Sequence, residues 1–144
     1  MKEEMERDVV ISTIARILTP FIQLFALYVI AHGEGGPGGG FQGGVIIGSG
    51  FILYVLAFGI NEGRKKASRK VVDILISCGV LIYAGIGLLC VLSGGKFLEY
   101  DMLPLGTPEH ASHLGIFGIE IGVGVTVAAV MITIFFEVAK KQDD

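Results

Sequence analysis

The chain has no tryptophan, only two cysteines, and charge on just 17% of its 144 residues. Cys78 and Cys90 stand on one expected helix, about 18 Å apart along its axis, which is too far for a disulfide. They read as packing residues. No Cys or His spacing marks a zinc or iron-sulfur site, so neither metal nor other cofactor is expected in this chain. No nucleophile-base arrangement survives its context, which argues against an enzyme. A cleavable signal peptide is not expected either. The start Met1-Lys2-Glu3-Glu4 is of mixed charge, and the apolar run behind it is long enough to span a bilayer.

Apolar length is what the chain has in abundance. Hydrophobic residues make up 52% of it, and the mean hydropathy of +0.71 is too high for an ordinary soluble domain of this size. Four spans are expected, at about 9–31, 41–60, 71–93 and 114–138, within a single domain covering 1–144. Each has about the 20 residues that cross roughly 30 Å of hydrocarbon. Only helices can cross singly without leaving backbone groups unpaired in lipid, so the fold class is an all-α integral membrane protein with four transmembrane helices.

Charge orients the bundle. The loop after the second span carries Arg64, Lys65, Lys66, Arg69 and Lys70 against Glu62, whereas the loop after the first carries only Glu34. By the positive-inside rule the basic loop is cytoplasmic. An even number of spans then puts both termini in the cytoplasm, in agreement with Lys2, Arg7, Lys140 and Lys141. The third loop, with Lys96 against Glu99, Asp101 and Glu109, falls outside. Topology accounts for the basic loop without invoking anionic lipid or nucleic acid, and no nucleic-acid partner is expected.

Between the first two spans lies His32-Gly33-Glu34-Gly35-Gly36-Pro37-Gly38-Gly39-Gly40-Phe41-Gln42-Gly43-Gly44. It twice satisfies G-x-G-x-x-G, but a membrane helix precedes it where a dinucleotide site needs a strand. Its glycines allow positive φ and close backbone approach, while Pro37 fixes one φ, so a tight, specifically bent hairpin is expected. Pro37 and Phe41 are expected to shape a turn that docks on a neighbouring chain. Gly40, Gly44 and Gly48 then form a small-residue stripe that predicts a helix partner. Gly118 and Gly122 form a similar shelf, roughly opposite Glu120 on the last span.

Glu120 sits in the apolar stretch Ile116–Gly124 with no neutralising neighbour in sequence. An acid near a bilayer centre costs roughly 2.5–3.5 kcal/mol on insertion scales, so it faces protein or water and often handles ions. Thr107 reads as an N-cap with Pro108 at the first helical position and Glu109 in the first turn. A helix from there is longer than the bilayer is thick, and must protrude or bend at Gly115 or Gly118. Unbent, it aligns Glu109, His113 and Glu120 on one face. One reading is a hydrated track through these residues, since histidine switches charge near neutral pH. The other is interfacial side chains plus one buried acid paired with a neighbouring subunit. Asp73, a further ion-path candidate, and Glu137 also read as interface anchors at cytoplasmic helix ends. Arg16 either snorkels or pairs with Asp73.

Thr19-Pro20, Phe25-Ala26-Leu27-Tyr28, Pro37-Gly38-Gly39-Gly40-Phe41 with Gly43-Gly44, Phe51-Ile52-Leu53-Tyr54 and Leu105-Gly106-Thr107-Pro108 resemble the MrpB (MnhB) family of Mrp-type sodium/proton antiporter subunits over nearly the whole chain. Similar modules occur in archaeal membrane-bound hydrogenase and sulfane sulfur reductase complexes. The resemblance implies a small accessory subunit in a prokaryotic cell membrane. Its implied partners are other Mrp-like membrane subunits, the lipid bilayer and Na+ or H+, with redox cofactors and main channels in other chains. After Pro108 the chain departs from the family pattern: Glu109-His110-Ala111-Ser112-His113 stands where apolar residues and an aspartate are common. The expected function is a non-catalytic subunit of a cation/proton translocating complex. The alternatives are a scaffold that conducts nothing and a self-sufficient homo-oligomeric transporter, the latter disfavoured by four spans without inverted repeats.

Overall fold

A computed structural model describes residues 2–36 and 38–141, with the side chains of 2–7 and 141 outside the description. The described residues form five helices: α1 (Lys2–Ala31), α2 (Gly40–Phe58), α3 (Ile60–Lys66), α4 (Arg69–Leu92) and α5 (Pro108–Lys141). A single 3-10 turn at Tyr100–Met102 lies between α4 and α5. Four of these helices, all but α3, are long and apolar enough to cross a membrane.

The second span ends two residues earlier than expected. Gly59 takes φ 97°, a conformation that favours glycine, and breaks the chain into the short helix α3. Fourth-span residues extend as a helix in both directions, because Thr107 does cap it: the His110 N–H donates to Thr107 Oγ1 at 3.3 Å. The resulting 34 residues measure about 51 Å, so α5 is longer than a hydrocarbon layer of roughly 30 Å is thick.

α2 and α5 pack together at the centre, with α1 against the outer side of α2 and α4 against the outer side of α5. Glycine makes each contact close. A Cβ on Gly44 would lie 2.7 Å from the Gly124 carbonyl oxygen, and one on Gly48 would lie 3.0 Å from Met131 Cβ, so the stripe on α2 faces α5. On the other face of α5, a Cβ on Gly122 would lie 3.0 Å from the Gly79 carbonyl oxygen and one on Gly118 would lie 2.6 Å from Ile86 Cδ1, which seats α4. Lipid tails are as apolar as these side chains, so van der Waals contact at such small residues, not exclusion of water, holds the helices together.

The basic end is closed by an apolar cluster of Val55, Ala67, Val72, Ala129, Ile132 and Phe136. α3 folds back over it, with Gly63 on Val55 and the Arg64 guanidinium 3.9 Å from the Phe136 ring centre. The opposite end is closed by Cys90, Leu103 and Ala111, with Tyr100 packed alongside. Cys78 and Cys90 are both free thiols, the first exposed and the second buried.

Candidate functional site

The glycine hairpin and Glu120, far apart in sequence, meet in space. α1 ends when the His32 N–H donates to the Tyr28 carbonyl at 3.1 Å, and the chain turns back through glycines to begin α2 at Gly40. Gly38 takes φ 127°, and a Cβ there would stand 2.7 Å from Val29 Cγ1, so both conformation and space call for glycine. Gly39, at the N-cap, has no side chain to offer, and the first turn of α2 contains no acid. Its orphan N–H groups and the positive end of its dipole therefore need an acceptor from elsewhere. Glu120 supplies one: its carboxylate reaches across from α5 and accepts a hydrogen bond from the Gly40 N–H.

The requirement is mutual, because the helix terminus offsets the cost of a carboxylate among apolar helices. It is also steric. A Cβ on Gly39 would lie 2.8 Å from Glu120 Oε2, one on Gly33 would lie 3.1 Å from it, and one on Gly40 would collide with the Glu120 backbone carbonyl. The hairpin is glycine-rich where it wraps an acid.

Seven residues before Glu120, about 10 Å along α5, the His113 Nδ1 pairs with Glu34 Oε2 from the same hairpin. This pair borders an open cleft of about 510 Å³ lined by Tyr28, His32, Glu34, Gly35, Gly36 and His113. His32 stacks on Tyr28 with ring centres 4.2 Å apart. The hairpin thus presents a surface-facing polar pair and, deeper, a carboxylate held at a helix terminus. Tyr100 packs against Gly115 on α5 nearby, and burial pushes its hydroxyl above the usual tyrosine value.

The other candidates are not gathered here. Glu109 is exposed in the first turn of α5. Asp73 is exposed at the opposite end of the molecule, beside Arg69 and Lys70, and is separated from Glu120 by the Gly79–Gly122 crossing. Arg16 does not pair with Asp73 among the described residues, because α1 and α4 sit on opposite flanks of the bundle; its guanidinium lies 5.6 Å from the Phe58 ring centre. Glu137 pairs with Arg69 at 3.9 Å. Gly40, Gly44 and Gly48 line the α2–α5 contact, Phe41 is 61% exposed and points away from the bundle, and Pro37 lies outside the described residues. Sequence reasoning missed Glu34, which it counted only as loop charge. A lone acid inside a glycine string was the available signal.

Four bilayer-length helices, with one part-buried acid on α5 held by the glycine hairpin at the start of α2, define a small multi-pass membrane protein with a carboxylate site. The family model described as "Domain related to MnhB subunit of Na+/H+ antiporter" matches residues 10–133, and the chain belongs to that family. It is 35% identical over 133 residues to a protein of Staphylococcus haemolyticus assigned as antiporter subunit mnhB2, covering 90% of this chain and 92% of that one. A Staphylococcus aureus protein with the same assignment is 31% identical over 138 residues, covering 93% of this chain and 96% of the relative. Among solved structures, the Mrp complex from Dietzia sp. DQ12-45-1b superposes with a TM-score of 0.56 at 28% identity, over 89% of this chain. This chain spans 14% of that solved chain's length. Bacterial relatives and four apolar helices make this a multi-pass protein of the plasma membrane.

Proposed function

We propose that the chain is a non-catalytic subunit of an Mrp-type Na+/H+ antiporter complex, assembled with other Mrp-like membrane subunits, and that Glu120 takes part in ion coupling. Family membership supports the first half. The second half rests on one observation: Glu120 holds a titratable group inside the bundle at a helix N-terminus, with the Glu34–His113 pair between it and the surface cleft. A carboxylate in such a place can exchange a proton or meet a sodium ion as its surroundings change. The relatives' names favour an antiporter host over a redox-linked one. Both termini and the loop containing Arg64–Lys70 are assigned to the cytoplasm on charge grounds, and a cysteine at Ser68 should react only from that side.

The hydrogen bond to Gly40 also favours a second reading, in which Glu120 only caps α2 and the subunit is a scaffold. Glu120→Gln separates the two, because glutamine keeps an acceptor oxygen and removes titration. In vesicles holding the assembled complex we expect normal subunit content with reduced Na+-driven proton movement. Full coupling at every pH would leave Glu120 as a cap.

A further inference from the structure

About 22 Å along α1 from the hairpin, a cleft of about 290 Å³ opens between α1 and α2. Two cations from different elements converge on it: Arg16 from α1, and Lys66 from the end of α3. Neither forms an ion pair among the described residues. Arg16 rests 5.6 Å from the Phe58 ring centre and Lys66 5.4 Å from that of Tyr54. Among the described residues no carboxylate lines the cleft; its remaining walls include Pro20, Phe51 and Tyr54. Lys65, the neighbour of Lys66, is by contrast committed to Glu62 at 2.6 Å.

We propose that this cleft binds one anionic phospholipid, its phosphate between Arg16 and Lys66 and its acyl chains along α1. Two cations that form no ion pair among the described residues, at one end of an apolar cleft, complement an anion that carries an apolar body. The groove opens within the spanning segments of α1 and α2, so its ligand arrives from the bilayer. On α1, Ile17 and Leu24 are 57% and 63% exposed, apolar surface on which acyl chains can lie. Aromatic faces position both cations without neutralising them. Topology alone explains a basic loop, but not the folding back of α3 that carries Lys66 to an arginine inside another helix.

Native mass spectrometry of the full chain in mild detergent, offered phosphatidylglycerol or phosphatidylcholine, tests this. One phosphatidylglycerol per chain should be retained in preference to phosphatidylcholine. Arg16→Gln with Lys66→Gln should weaken its retention by roughly tenfold or more, given the usual contribution of each cation near anionic lipid. Lys65→Gln, which removes one charge from the short helix that carries Lys66, should leave retention unaltered. Equal loss in the double variant and in Lys65→Gln, or no loss in the double variant, overturns the proposal. So does loss of neighbouring subunits from the Arg16→Gln complex while the isolated chain retains no lipid, which would assign the cleft to an acidic partner segment. Should the double variant fail to fold, a photoactivatable phosphatidylglycerol on the unmodified chain decides. Crosslinks to the Phe51–Tyr54 segment and α1 support the site, and crosslinks confined to other surfaces overturn it.

Discussion

The two ends of this bundle are built on opposite principles. At the hairpin end, backbone approaches side-chain oxygen: Gly33, Gly39 and Gly40 close on Glu120, and Glu34 on His113. At the α3 end, large side chains fill space: Phe136 is 1% exposed against Val55, Ala129 and Ile132, and a cation sits over its ring. A polar group in hydrocarbon must find its partner within the protein, so the hairpin end tolerates little variation in shape. An apolar contact has no directional requirement, so the α3 end depends on filled volume and not on the placement of single polar atoms.

The contrast predicts a hierarchy of effects. Gly40→Leu should be the most damaging, because its side chain meets the Glu120 backbone, which cannot swing aside. We expect the variant to be lost from the purified complex, and near-normal yield would show the hairpin end to be pliable. Phe136→Ala should cost about 3–5 kcal/mol in unfolding from detergent or bicelles, the usual penalty for emptying an aromatic site. A loss under about 1 kcal/mol would mean that the α3 end repacks fully. Glu120→Ala should destabilise by about 0.5–2 kcal/mol, the usual cost of deleting an N-cap. Glu120→Gln, which keeps the acceptor, should cost less in the same unfolding assay.

The smallest effect is a pH dependence at the hairpin end. Burial raises the Tyr100 hydroxyl above its ordinary value of about 10. The folded state therefore holds this proton more tightly than the unfolded chain, and the associated stability is present below pH 10 or so and lost as pH rises through the folded value. Tyr100→Phe should remove that alkaline decline in melting temperature, and an unchanged decline would place its origin elsewhere.

Much of this architecture was legible in the sequence because membrane helices announce themselves by length. Thr107-Pro108 declared the start of α5, and the four-residue glycine spacing declared a close helix contact. The break at Gly59 was not legible, since a glycine at a loop boundary looks like any other until its φ is known. The pairing of Glu120 with the hairpin was out of reach for a related reason. Periodicity shows which side of α5 carries the acid but not which element lies opposite, and the glycine string suggested a bend without saying what it bends around. The expected alignment of Glu109, His113 and Glu120 was drawn from one helix alone. The acid that joins His113 comes instead from the hairpin, as Glu34.

Carbodiimide labelling tests the proposed part of Glu120 in ion coupling most directly, because this reagent modifies protonated carboxyl groups in apolar surroundings. The assembled complex should be labelled across a pH series and read by peptide mass spectrometry. Modification at Glu120 that declines as pH rises, and declines further when sodium is added, is the predicted result. An absence of modification at Glu120 at every pH, with membrane carboxyl groups of other subunits modified in the same samples, would contradict the account and leave Glu120 as a fixed cap on α2.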